Sequence, residues 1–168
     1  NRQLFQDRLE VALARAGRSR NRVAVMFIDL DHFKHVNDTM GHGAGDRILR
    51  FVGERVRGAV RNSDTVARIG GDEFTVVLPD ISGPAPAARV ACKILGAMDE
   101  PFEVAGHPFL LSASIGVALY PEDGRDRESL IRKADAAMYR AKAAGRSTYR
   151  LCATDGSSSE PPVLIDEL

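Results

Sequence analysis

Cysteine is scarce in this chain. Cys92 and Cys152 are the only two in 168 residues, too few for a disulfide framework and without the spacing of a zinc site. A reducing cytoplasm is the compartment they fit. An excess of one charge is also missing, since 23 Lys and Arg offset 23 Asp and Glu. A general nucleic-acid binder carries a basic surplus, so that class is excluded, while a local basic pocket for a small anion is not. No apolar run approaches the roughly 18 residues of a membrane span, and neither a signal peptide nor an internal repeat is visible. What remains is 44% hydrophobic and 27% charged residues, the balance of one globular domain large enough to build its own core. The chain opens at Asn1 rather than at methionine. The expectation is therefore a piece of a longer protein, itself cytoplasmic, with a sensor or a membrane tether outside it.

Apolar spacing predicts a helix over 3–16, carried by Phe5, Leu9, Leu13 and Ala16 and stopped by Gly17. The run V-A-V-M-F-I-D-L, Val23 to Leu30, reads as a strand buried on both faces. A polar, Gly-rich passage follows, and then a helix near 44–60 with Ile48, Val52, Val56 and Val60 on one stripe. Two short β-rich runs, Asp64 to Ile69 and Phe74 to Leu78, flank Gly70-Gly71 and predict a hairpin. A Pro/Gly loop leads to a helix over about 85–99. Strands are expected over 102–104 and 109–120 around the turn A-G-H-P, then a helix over 127–144 and a short strand from Thr148 to Leu151. Residues 1–152 form the expected domain, and the Ser-, Pro- and acid-rich 153–168 a tail or linker. Hairpins interleaved with helices predict one sheet with helices on its faces.

The chemistry gathers at R-I-G-G-D-E-F, residues 68–74. Glycines permit a tight turn and let a ligand approach the backbone. By itself G-G-D-E is as often a plain turn with solvated acids behind it. Asp29, at the end of the buried strand, shifts that balance. Two carboxylates facing each other in a buried place are costly, and a hard divalent cation removes the cost. Asp29 and Asp72 are thus the expected metal ligands. Mg2+ favours a few carboxylates plus substrate phosphates, so the metal implies a nucleotide. Asp31 is either a third acid of the site or, the reading favoured here, a cap for the next turn.

At this point the residues are similar to a known family. F-I-D-L-D-H-F-K-H-V-N-D-T-M-G-H-G-A-G-D, R-N-S-D-T-V-A-R-I-G-G-D-E-F, S-A-S-I-G-V-A-L-Y-P and A-D-A-A-M-Y-R-A-K-A-A-G-R occur in order and at family spacing, and the chain resembles the GGDEF domains, which are diguanylate cyclases. The resemblance covers Asn1 to Leu151. It implies an α+β fold with a central, mostly antiparallel sheet flanked by helices, similar to adenylyl-cyclase and polymerase-palm domains. It implies condensation of two GTP into cyclic di-GMP and two pyrophosphates across a homodimer, with Mg2+, or Mn2+ in its place, as cofactor. It also implies sensor and phosphodiesterase domains as companions in the full-length chain. By position, Asp29, Asp72 and the Leu30 carbonyl match the metal site, and Glu73 the second catalytic acid. Phe33, Lys34, Lys142 and Arg146 match phosphate-binding positions, and Asn37 and Asp46 guanine-reading ones. Arg61 and Asp64 match a product-binding inhibitory site of the form R-x-x-D.

Each of these has a plainer alternative. Lys142 and Arg146, four apart, are either a solvated helix face or an anion clamp. Asp46 can accept from the guanine N1–H and N2–H2 together, a donor pair that adenine lacks, or it can be an N-terminal helix cap. Arg61 and Asp64 are either a surface ion pair or an arginine fork for a guanine edge, with Arg89 a candidate second arginine. They lie six or more residues before the turn, on the order of 20 Å from the metal along a strand, which excludes a catalytic role. His32 and His35, three apart, find no further His or Cys to complete a zinc set and are read as loop or surface residues, His42 as a brace of the base-binding loop and His107 as a turn residue. For the domain as a whole the alternative is a silent module that holds GTP or cyclic di-GMP and regulates an attached domain.

Overall fold

The computed structural model describes residues 1–152, so the expected tail at 153–168 lies outside the described residues. The elements run α1 (Arg2–Ser19), β1 (Arg22–Leu30), α2 (Phe33–Met40), α3 (His42–Ala59), β2 (Thr65–Gly70), β3 (Glu73–Ile81), α4 (Pro84–Met98), β4 (Phe102–Val104), β5 (His107–Phe109), β6 (Ala113–Tyr120), α5 (Arg127–Ala143) and β7 (Thr148–Leu151). Five strands form one sheet in the order β2-β3-β1-β6-β7, and β4 and β5 form a separate hairpin. Every pairing in the large sheet is antiparallel except β6 with β7 at the edge. The fold is the expected α+β one. Among the described residues no helix is long and apolar enough to cross a membrane.

β1 is the central strand, and its continuous apolar run is explained by cover on both faces. Alternation along the strand sorts its side chains. Ala24, Met26, Ile28 and Leu30 join Phe74, Val76, Leu78, Ile115 and Val117 under α3 and α4. Val23, Val25 and Phe27 join Val77 and Ala118 beneath Phe5, Leu9 and Ala16 of α1 and Leu130, Ala134 and Met138 of α5. The odd-numbered face of β1 is therefore the α1/α5 face, which is where Asp29 belongs.

Two expectations are corrected. The passage after β1 contains a helix, α2, whose few apolar residues, Phe33, Val36 and Met40, stand at helical spacing in an otherwise polar stretch. Gly41, at φ 84°, ends α2 and begins α3 in one residue, a conformation that a side chain would strain. The single strand expected over 109–120 is two: β5 belongs to the small hairpin, and Leu110 to Ser112 separate it from β6.

α5 lies unusually close to the sheet. A Cβ built on Gly116 of β6 would fall 2.0 Å from the Ala134 carbonyl oxygen and 2.1 Å from the Met138 nitrogen. Both are helix backbone and have no rotamer to move into. Gly116→Ala is expected to destabilise the domain by about 3 kcal/mol, the upper end for overpacking, and to force α5 outward. A denaturant titration with an unchanged midpoint would contradict this contact.

Candidate functional site

The hairpin turn consists of Gly71 and Asp72, because Gly70 pairs with Glu73 across it. Gly71 takes φ 41°, and Arg68 Nε donates to its carbonyl at 2.8 Å. The turn is pinned to the end of β1, where the Leu30 N–H donates to the Asp72 carbonyl at 3.2 Å. One residue earlier, Asp29 sits directly opposite Glu73 in the β1–β3 register. Paired residues on neighbouring strands point to the same face. The acids of two distant segments thus meet at one end of the sheet. Since the Leu30 amide faces the hairpin, its carbonyl, on the same edge of an extended strand, faces that way too.

The electrostatics match this crowding. Burial pushes the Asp29 carboxyl up; the Lys142 hydrogen bond pulls it back, and the charge of Asp72 raises it again. Burial also raises Glu73, with Asp29, Asp135 and Asp72 adding to it and Arg2 easing it. The relief within the protein comes from α5, whose Lys142 Nζ lies 2.7 Å from Asp29 Oδ1. Every donor at this corner is an oxygen, the set that suits a hard cation. Among the described residues no three His, Cys, Asp or Glu side chains form a ready-made cage. A site with only part of its shell from the protein is what Mg2+ uses when phosphates and water complete it.

Of the other predicted residues, Phe33, Lys34 and Asn37 are carried by α2, Asp46 by α3, and Lys142 and Arg146 by the end of α5 and the turn after it. Lys34 is exposed in the first turn of α2. Phe33 is buried at 6% exposure, so its ring belongs to the core and only its backbone, at the helix N-terminus, is left to meet a phosphate. Asn37 lies across the α2–α3 seam with its Oδ1 only 1.9 Å from where a Gly45 Cβ would stand, so Gly45 is what lets Asn37 rest beside Asp46. Asp46 lies inside α3, four residues past its first residue. The capping alternative for it fails, because Gly41 is the N-cap. Its carboxylate is exposed and forms no ion pair among the described residues. Arg146, in the turn after α5, is exposed and likewise unpaired there.

Asp31 is neither a helix cap nor an open third acid. It is 3% exposed. Its Oδ1 accepts from Ser114 Oγ at 2.7 Å, and its Oδ2 from Ser112 Oγ at 2.6 Å and from the Ser147 amide at 3.1 Å. His32, which carries no side-chain cap bond, stands at the N-cap of α2 instead. The sequence offered no signal for this, because all three partners lie more than 80 residues away.

Arg61 and Asp64 lie at the opposite end of the hairpin. Asp64 is 3% exposed and accepts from the Arg61 backbone N–H at 2.8 Å and from its guanidinium at 3.0 Å. Arg61 also donates to the Pro79 carbonyl at 3.0 Å. Pro79 is six residues along β3 from Glu73, roughly 20 Å at strand spacing. A cavity of about 480 Å3 opens here, lined by Arg61, Asp64, Arg89 and Lys93 among others. Asp64 is buried while the Arg61 side chain is 57% exposed, so only the acid half of the pair is withdrawn from water, and Arg89 of α4 lines the same cavity.

Comparison with known proteins bears on this arrangement. Residues 1–148 match the family model described as "Diguanylate cyclase, GGDEF domain". The chain is 51% identical over 149 residues to the bifunctional diguanylate cyclase/cyclic di-GMP phosphodiesterase MucR of Pseudomonas aeruginosa, covering 89% of this chain and 22% of that protein. It is 42% identical over 168 residues to the diguanylate cyclase TpbB of the same species, covering 99% and 38%. The crystal structure of the GGDEF domain of TpbB superposes with a TM-score of 0.90 at 44% identity, covering 91% of this chain and 96% of that one. The chain thus spans well under half the length of either relative.

The raised carboxyls set a pH dependence. The folded chain keeps protons on Asp29 and Glu73 to higher pH than the unfolded chain does, so stability falls as pH rises from the ordinary carboxylate range through the raised titrations. In protein stripped of divalent ions, Glu73→Gln should flatten that fall and raise the unfolding midpoint at pH 7 by on the order of 2 °C, with no gain at pH 3. Thermal melts across this range that superimpose on those of the parent would contradict the repulsion at the corner.

Proposed function

The chain belongs to the GGDEF family, and from that premise we propose that it condenses two GTP molecules into cyclic di-GMP. In each half-reaction the 3′-oxygen of one GTP bonds to the α-phosphorus of the other, the bond to pyrophosphate breaks, and the 3′-hydroxyl loses its proton. One chain offers one such corner, so two chains face each other for the double reaction. The observation that carries this reading is the meeting of Asp29, Asp72 and Glu73 where the Leu30 amide pins the turn. Oxygen donors in an unfinished shell suit Mg2+, with Mn2+ as the alternative.

Asp29, Asp72 and the Leu30 carbonyl would hold the cation. When bound, it neutralises triphosphate oxygens and makes the 3′-hydroxyl more acidic. The chain's own residues do the rest. Lys34, the first-turn amides of α2, Lys142 and Arg146 supply positive charge and donors to the triphosphate, so positioning and electrostatics dominate. Glu73, opposite Asp29 in the register, is the proposed acceptor of the 3′-hydroxyl proton, and burial raises its carboxyl above the ordinary value, the direction that strengthens a base. Asp46 and Asn37 read the guanine edge. Arg61 and Asp64, with Arg89, are the proposed product site, too far along β3 for chemistry and therefore inhibitory. Fusion to sensor or phosphodiesterase domains in the full-length protein is part of the same proposal.

With GTP and Mg2+ the chain should release pyrophosphate and form a cyclic dinucleotide, at a rate rising more steeply than protein concentration and abolished by EDTA. GTP left intact by a chain held as a dimer would overturn the reading. Asp46→Ala should erase the preference for GTP over ATP, measured as a ratio of kcat/KM. Unchanged discrimination would remove Asp46 from the base-reading role.

A further inference from the structure

α5 ends in a sequence of three backbone bonds: Ala144 N–H to the Arg140 carbonyl at 2.9 Å, Gly145 N–H to Lys142 at 3.3 Å and Arg146 N–H to Ala141 at 3.1 Å. The last reaches five residues back, the wide closure that terminates many helices. The two residues that follow Gly145 are unusual. Arg146 takes φ 63° and Ser147 φ 47°, so two consecutive residues with side chains stand in the left-handed region. Such conformations cost free energy and persist where the surroundings hold them. The Ser147 amide has left the helix, and its partner is the Asp31 carboxylate.

That carboxylate is itself immobilised. Ser112 and Ser114 donate to its two oxygens, and the Asp31 amide donates to the Ser112 carbonyl at 2.9 Å. Two residues before it, near the end of β1, lies Asp29, which Lys142 of α5 grips. One strand end therefore holds α5 at two points, an ion pair at Lys142 and a backbone bond just past Arg146. The arginine side chain between these anchors is exposed and unpaired among the described residues.

We propose that Asp31 is a positioning residue for the triphosphate clamp: by accepting the Ser147 N–H it holds the left-handed Arg146–Ser147 turn and so aims Arg146 at the phosphates. The proposal rests on the reading of Arg146 as a phosphate contact. Asp31 touches no substrate, and its whole effect passes through the turn. A carboxylate that merely stapled β1 to β7 would stabilise the domain without favouring one ligand over another.

The test is a double-mutant cycle read by calorimetric titration, with Mg2+ present, of a non-hydrolysable GTP analogue and of GMP. Arg146→Ala should weaken analogue binding about tenfold in the parent chain, as loss of a charge-assisted phosphate contact does. Asp31→Ala should weaken the analogue by a similar factor, about tenfold, and GMP by less than about twofold. In the Asp31→Ala background, Arg146→Ala should then add less than about twofold, because coupled residues do not add. Asp31→Asn keeps an oxygen for the Ser147 amide and an NH2 for a serine oxygen, so it should stay within about threefold of the parent. Equal losses for the analogue and GMP would overturn the proposal. So would a full tenfold Arg146 effect in the Asp31→Ala background. An Arg146→Ala chain that binds the analogue as the parent does would instead overturn the phosphate role of Arg146, and the proposal with it. Should Asp31→Ala fail to fold, Ser112→Ala removes one anchor of the same oxygen and carries the same cycle. A coupling of about threefold is then expected, and strictly additive costs would overturn the proposal.

Discussion

Like charges held together are the constraint on which this structure turns. Asp29, Asp72 and Glu73 converge at one end of the sheet, and burial makes the ionised forms of Asp29 and Glu73 harder to keep. The protein answers with one ammonium, Lys142, delivered by a helix that is held against the sheet by the smallest residue available. The approach of α5 at Gly116 and the ion pair at Asp29 are two aspects of the same packing. Were α5 to stand off by the thickness of a methyl group, the 2.7 Å contact of Lys142 with Asp29 would be strained.

The sheet order explains why this corner is built where it is. β1 occupies the centre, so its end is flanked by the hairpin on one side and by β6 on the other. From the hairpin come Asp72 and Glu73. From the β6 side come Ser112 and Ser114, which fix Asp31, and past β6 the parallel edge strand β7 begins directly after the Arg146 turn. α2 and α3 leave from the same end, with a single residue, Gly41, between them, and that sharp joint lets Asn37 lie against Gly45 one residue from Asp46. The groups proposed to hold metal and phosphate and to read the base thus come from five separate stretches of sequence.

Much of this was legible before any coordinates. The apolar run of β1 announced its burial on both faces, and G-G between two β-rich runs announced the hairpin turn. Those features are local, and local patterns are what a sequence displays directly. The parts that stayed hidden are the ones set by distant partners. Asp31 read as a cap because its neighbours in sequence permitted it, whereas its real partners are Ser112, Ser114 and Ser147. The capping alternative for Asp46 stayed open until α3 was seen to begin at His42. α2 escaped notice because its apolar stripe is only Phe33, Val36 and Met40 in eight residues, with no side-chain N-cap bond to mark its start. The break between β5 and β6 was masked by Leu110 and Leu111, whose apolar character continues the strand pattern through a segment that pairs with nothing in the sheet. Arg89 had the right chemistry, but its helical register could not be fixed without the cavity it lines.

β3 begins at the acid turn and ends beside the cavity of Arg61 and Asp64. A pleated strand at full extension is a strut: it bears load but has almost no length to give. A ligand seated at its far end cannot stretch or shorten it to disturb the near end. An effect of the proposed product site on the proposed reaction would then act by displacing the whole domain against a second copy, like an oar pivoting in its lock.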